Sequence, residues 1–251
     1  MKLQGILLPV AVPFDHNGDL YPVKIQHNVE KWNRTGLAGY VVSGSESIYL
    51  SVEEIIRMWE YVAEYSAPEK LLIASTGMPS VRETVRLANH AETLGYQAAF
   101  VPAPDAPACV RSVYFSAVAD QSKIPILAGG DVPEGIAHPN ILTAVVGQSS
   151  ATIAQDFAAG AVAAIVSLAN AAPYAAITIW EAHRTRENEA ALDWQKRIAP
   201  AVGLIETYGV AALKYAMDLN GYYGGPPRLP LTVLSPEARN ALEQALDGIK
   251  S

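Results

Sequence analysis

Short apolar runs alternate along the chain with longer segments in which apolar residues recur every three or four positions. The runs 6–12, 38–42, 71–74, 98–101, 124–128, 141–146 and 161–166 are continuous and rich in Val, Ile, Leu and Ala. Strands covered on both faces have that texture, whereas a half-solvated strand would alternate apolar with polar. The segments between them carry helix signals. Ser51-Val52-Glu53-Glu54 is a capping box, and the stripe behind it runs Ile55, Met58, Trp59 and Val62. Ser80-Val81-Arg82-Glu83 predicts the same device again, and Gly95 stands where that helix must turn out of the right-handed region. Tyr114, Ala117 and Val118 mark a further helix. Repeated strand–helix units with short connections predict a parallel sheet closed by right-handed crossovers.

The pattern changes in the last third. From 174 to 217 it is almost entirely helical, with Ile177, Trp180, Trp194, Ile198 and Ile205 as core candidates. A Gly- and Pro-rich turn, 221–227, leads to a last helix capped by Ser235 with Pro236 at its first position. The expected architecture is therefore a TIM-type (β/α) barrel over 1–173 with a C-terminal helical extension over 174–251, in one structural unit. An eight-fold barrel needs one more strand than the seven runs found, at about 30 residues per strand–helix unit. The shortfall falls between 124 and 161, where 129–139 is too short and too rich in Gly and Pro for an ordinary helix. The barrel is expected to be altered there or to lack one unit.

Composition narrows the function. A length of 251 residues suits one barrel domain, and half the residues are apolar. The net charge of −7 repels phosphate backbones and excludes nucleic acid as an expected partner. No apolar stretch reaches the ~20 residues needed to span a bilayer, and residues 1–12 read as a first strand and not as a signal peptide. The single cysteine, Cys109, suits a reducing compartment; it reads as a buried or half-buried filler. A cytoplasmic protein is expected. The five histidines show no ligand spacing, and Asp15-His16-Asn17-Gly18-Asp19 reads as a tight turn and not as a calcium loop. No metal and no cofactor is expected.

Several local sequences then combine. Pro13-Phe14 with the Asn17-Gly18-Asp19 turn, Gly44–Glu46 followed by Leu50-Ser51 and Glu53-Glu54, and Thr76-Gly77 match the first half of one enzyme family. So do Ala212-Leu213-Lys214, Arg228-Leu229-Pro230-Leu231 and Leu234-Ser235-Pro236 near the C-terminus. The chain resembles the dihydrodipicolinate synthase/N-acetylneuraminate lyase family of class I aldolases, and within it the 4-hydroxy-2-oxoglutarate aldolase branch. The resemblance implies a lysine that forms a Schiff base with pyruvate or another 2-oxo acid, a tyrosine that shuttles protons, and a loop that holds the substrate carboxylate. It also implies a homo-oligomer.

The chain departs from that pattern at its chemistry. Val145 stands where the resemblance places the lysine, and valine forms no imine. The tyrosine position falls at Gly129 or Gly130, and the carboxylate loop is the short Ser43-Gly44-Ser45-Glu46. The ligand-binding candidates are Ser43, Gly44, Ser45, Glu46, Thr76 and Ile165. Further polar groups at strand ends are Ser75, Asp131, Gln148, Ser149, Ser167 and Asn170, with Asp131 and Glu134 as an acid–base pair or as solvated loop carboxylates. Lys214 is expected to pair with a carboxylate or to face solvent, and Arg228 to anchor the extension. Three readings remain. The chain is a family member that has lost the Schiff-base mechanism and binds a small anion, a working lyase with a relocated lysine or other acid–base groups, or a non-catalytic interaction subunit.

Overall fold

A computed structural model describes residues 3–43, 46–142 and 144–249. Strands and helices alternate through β1 (Gly5–Pro9), α1 (Pro22–Asn33), β2 (Gly39–Val42), α2 (Val52–Tyr65), β3 (Leu71–Ser75), α3 (Val81–Thr93), β4 (Ala98–Pro102), α4 (Ala108–Gln121) and β5 (Ile126–Gly129). They continue with β6 (Val146–Gly147), α5 (Ile153–Ala158), β7 (Ala163–Ile165) and α6 (Pro173–Arg184), and end in α7 (Asn188–Tyr208), α8 (Val210–Leu219) and α9 (Pro236–Leu246). The strands form one parallel, curled sheet in the order β5-β4-β3-β2-β1-β7-β6.

The two edges of that sheet meet through one short segment. Ile141 bridges in parallel to Ile126 of β5, with Ile126 N–H donating to Asn140 O and Leu142 N–H to Ile126 O, both at 2.8 Å. A few residues on, Val146 and Gly147 pair with Ala163 and Ala164 of β7. The run 141–146, read from sequence as one strand, is thus a bridge at Ile141 and a separate two-residue strand at Val146–Gly147. The segment has to leave β5 before it can pair with β7, so it cannot hold one ladder throughout. No helix lies between β5 and Ile141, as the Gly- and Pro-rich sequence implied.

Alternation along the strands sorts the core into two layers. Leu7, Val41, Ile73, Ala98 and Ala163 point into the barrel with Phe100, Leu142, Val146 and Ile165 around them. Their neighbours Ile6, Leu8, Tyr40, Val42, Leu72 and Ala74 point out to the helices. Period-two placement makes a filled barrel and not a pore. Trp32 and Trp59 are fully buried in the outer layer, and each indole N–H finds a backbone acceptor, Asn170 O at 3.2 Å and Val42 O at 3.4 Å. Rings of that size dominate the burial energy once their polar edge is satisfied.

The helix starts obey their caps. Ser51 Oγ accepts from Glu54 N–H at 3.2 Å while Glu54 Oε2 accepts from Ser51 N–H at 2.8 Å. Ser80 caps α3, but the expected reciprocal bond is missing, because Glu83 turns its carboxylate to Arg86 one turn on. Gly95 ends α3 at φ +87°. Trp180 and Trp194 pack half-buried against the core, and Ser235 caps α9. Cys109 is exposed, which corrects the expected filler. Apolar residues lie all round α4, so apolarity does not reveal its inner face, which is Tyr114, Phe115, Val118 and Ala119.

Candidate functional site

The mouth of the barrel, at the C-terminal ends of the strands, collects most of the polar residues expected there from the sequence. Ser43 comes directly after β2 with φ +65°, a left-handed backbone conformation that costs a non-glycine residue free energy. Its side chain is buried, and its Oγ has no hydrogen-bond partner among the described residues. Thr76 comes directly after β3, next to β2 in the sheet; its N–H donates to Phe100 O at 3.0 Å, and its buried Oγ1 likewise has no partner among the described residues. Ile165 closes β7 and belongs to the barrel's inner layer. Gly44 and Ser45 lie outside the described residues. Two buried hydroxyls without partners at adjacent strand ends are costly unless a ligand or water completes them.

Glu46 turns inward and meets Lys214 of α8. Glu46 Oε2 accepts from Val12 N–H at 2.7 Å, and Lys214 Nζ donates to Val12 O at 2.5 Å. The two side chains therefore hold both polar groups of one residue just past β1. Lys214 Nζ is 3.3 Å from Glu46 Oε1, close enough for an ion pair, although no aligned hydrogen bond joins them. The side chains are 1% and 2% exposed. Burial pushes the Glu46 carboxyl up, against the Lys214 charge and the Val12 N–H. It pushes the Lys214 amine down, against the Glu46 carboxylate. Removing one member of such a pair leaves a buried unpaired charge and costs about 3–5 kcal/mol. Nearby, Asn170 accepts from Ala11 N–H at 3.0 Å and donates to Pro9 O at 2.8 Å. The β1 exit is thus gripped by three buried polar side chains from three elements.

The C-terminal segment completes the clasp. Arg228 makes a two-pronged bond to Glu54, Nη1 to Oε2 at 2.8 Å and Nη2 to Oε1 at 2.5 Å, and Nη1 also donates to Tyr49 O. Hydrogen bonds from Arg228 hold the Glu54 carboxyl below its usual range. Phe14 lies under both cations, with Lys214 Nζ 4.7 Å and the Arg228 guanidinium 4.8 Å from its ring centre, and Tyr223 O–H donates to Phe14 O at 2.9 Å. Gly224 passes so close to α8 that a Cβ there would sit 1.9 Å from Lys214 O. The expected anchoring role of Arg228 takes this form.

The resemblance places its lysine at Val145 and its tyrosine at Gly129 or Gly130. Val145 lies just before β6, at that strand's N-terminal end and 61% exposed, away from the mouth. At Gly129 a Cβ would come within 2.3 Å of the Phe100 ring, so Phe100 occupies the space a larger residue would need. The remaining described lysines are committed elsewhere. Lys24 and Lys31 sit on α1 over the rings of Tyr223 and Tyr222. Lys70 precedes β3 and donates to Thr35 O and Leu37 O. Lys123 precedes β5, and Lys196 is exposed on α7. Asp131 and Glu134 do not form an acid–base pair: Asp131, 80% exposed, bonds Arg111, and Glu134 faces solvent.

Gln148, Ser149 and Ser167 line a cleft of about 290 Å³ beyond β6 and β7, together with Ser150 and Glu206. Its apolar wall is Leu168, Val202, Ile205, Val210 and Leu213. The strand-end serines were legible in the sequence; the helical wall was not, because α7 and α8 are distant in sequence and apolar for packing as much as for a cleft. Among the described residues, no group of three or more His, Cys, Asp or Glu is arranged to hold a metal ion, and no helix is long and apolar enough to cross a membrane.

Comparison with known proteins decides the family. The sequence profile of the dihydrodipicolinate synthetase family matches residues 2–125 and 138–249. The chain belongs to that family. Among relatives of this dihydrodipicolinate synthetase family member is the protein named "Probable 4-hydroxy-2-oxoglutarate aldolase, mitochondrial" of Emericella nidulans, 28% identical over 287 aligned positions that cover 96% of this chain and 93% of the relative. Another is 4-hydroxy-tetrahydrodipicolinate synthase of Exiguobacterium, 25% identical with 97% of each chain covered. The fold is that of dihydrodipicolinate synthase from Bacillus clausii, with a TM-score of 0.88 at 20% identity over 99% of this chain and 98% of that one. N-acetylneuraminate lyase from Fusobacterium nucleatum shares it with a TM-score of 0.87 at 17% identity over 99% of each. The family match is interrupted over 126–137, which spans β5 and the start of the loop after it.

Proposed function

We propose that this aldolase/lyase family member binds a small 2-oxo acid such as pyruvate at the barrel mouth and does so without forming an imine. One observation carries the reading: among the described residues no lysine at the mouth has a free amine. Lys214 is the one lysine there, and its ammonium is bound to Val12 O and faces Glu46. Anion binding is supported by Ser43 and Thr76, which bring buried hydroxyls without partners among the described residues to adjacent strand ends.

The altered middle belongs to the same reading. The loop between β5 and Ile141, the interrupted family match and alignments longer than the chain itself support a barrel that lacks one strand–helix unit. We treat 1–173 as the barrel and 174–251 as its helical extension, within one cytoplasmic unit. A second reading, a homo-oligomer in which α4 is covered, is favoured by Val110 and Val113, which point outward from that helix.

The test is intact mass after incubation with pyruvate and sodium borohydride, beside a 2-oxoglutarate control. No reduced adduct is expected with either acid, because only an imine is trapped by the hydride. An adduct overturns the reading in favour of a working lyase, and peptide mapping then names its lysine.

A further inference from the structure

We propose that Lys214 is a positioning residue for Ser43 and the β1 exit at the barrel mouth, acting through Glu46 and Val12 and not by touching the ligand. The proposal rests on the reading of the mouth as a 2-oxo acid site. Its starting point is the conformation of Ser43. A serine at φ +65° stays there only when its surroundings over-determine it. The loop after Ser43 is short, and three residues on Glu46 is drawn inward to the Val12 N–H and the Lys214 ammonium. Fixing Glu46 limits how far Ser43 can move, because only two residues separate them. The same contacts fix the β1 exit, since Lys214 holds Val12 O while Glu46 holds Val12 N–H.

The geometry also excludes a simpler role, direct contact with the ligand. Lys214 Nζ is enclosed by Val12 O, Pro226 O at 3.5 Å, the Glu46 carboxylate and the Phe14 ring, with a side chain 1% exposed. An enclosed ammonium does not reach a ligand at the mouth. The other charged groups close to the pair are Asp218, one turn along α8, and Arg228 on the Phe14 ring. A conformation held by opposite charges is lost when one charge goes, and returns when the remaining partner is made neutral and still accepts the Val12 N–H.

The experiment compares pyruvate affinity in the full chain, Lys214→Met, Glu46→Gln and the double variant, well below each protein's melting temperature. Lys214→Met is expected to weaken binding at least tenfold, and Glu46→Gln in that background to restore it to within about threefold of the parent. An unchanged affinity in Lys214→Met makes the lysine structural only and overturns the proposal. Loss without recovery in the double variant shows that the effect does not run through the Glu46 charge and overturns the proposal equally. Amide exchange of Val12 and residues 46–50 is measured in the same proteins without ligand. Protection there is expected to fall in Lys214→Met and to return in the double variant. If the parent chain binds no 2-oxo acid, the functional reading fails on its own, and unchanged protection is then the result that overturns the positioning role.

Discussion

The two sides of the barrel mouth are built on opposite principles. On the β1–β3 side, buried charges and hydroxyls are enclosed by a clasp from far along the chain: Lys214 on Val12 and Glu46, Arg228 on Glu54 and Tyr49, Tyr223 on Phe14. On the β5–β6 side no helix among the described residues separates the two strands, and the ion pair there, Arg111 with Asp131, has one partner 80% exposed. The family's sequence pattern persists on the first side and breaks on the second. A buried polar network tolerates little change because each member left unpaired is expensive. A solvated loop forfeits almost nothing when it is shortened. The family match thus persists where the polar groups are also structural, and breaks on the looser side.

The sharpest way to break this contrast is at Arg228. Its two-pronged bond to Glu54 is partly buried, so Arg228→Met is expected to cost about 1.5–3 kcal/mol in urea unfolding at pH 7. The sign of the pH dependence comes from Glu54. Its folded carboxyl is held below the usual range by Arg228, so the bond's contribution is fully present above the unfolded value of about 4.3. It is lost as pH falls through the depressed folded value. The gap between parent and variant should therefore be full at pH 6 and close as pH drops below about 4. A gap that persists at pH 3 would show that the guanidinium acts through the Phe14 ring and not through the carboxylate.

On the open side the matching change is Asp131→Asn. With that carboxylate largely in solvent, the expected loss is about 0–1 kcal/mol. It should vanish in 1 M salt, where screening acts over about 3 Å, whereas the Arg228 effect should survive. Comparable losses at both positions, or equal salt sensitivity, would erase the distinction between the two sides.

The legible part of the sequence divides along the same line. Caps are local, so the starts of α2 and α9 can be read from Ser51 and Ser235. Continuous apolar runs place β1 to β5 and β7 to within a few residues. The strand 141–146 fails because its partner changes midway from β5 to β7, which no periodicity records. Lys214 does pair with a carboxylate, as one of the two expectations had it, but its burial was not legible. A lysine between apolar neighbours has the same local pattern whether its stem lies on the surface or its ammonium is enclosed, and its partner Glu46 is far away in sequence. The exposed place of Val145 before β6 was not legible either.

The smallest expected effect on the fold tests whether the open side is open in solution. Val113 is 69% exposed at the middle of α4, so Val113→Glu should change unfolding free energy by no more than about 0.5 kcal/mol. Cys109, the only cysteine, is exposed one turn earlier on the same helix and reports on its cover. If a second copy of the chain lies on α4, the parent should elute as an oligomer by light scattering and its thiol should react slowly. Val113→Glu should then lower the mass and speed the thiol reaction without loosening the barrel, because it places a charge in an apolar contact and touches nothing within the core. If the parent is a monomer with a fast thiol, the apolar outer face of α4 is simply solvated. The barrel would then tolerate its short side unaided, and the clasp over β1–β3 would be sufficient to hold the mouth together.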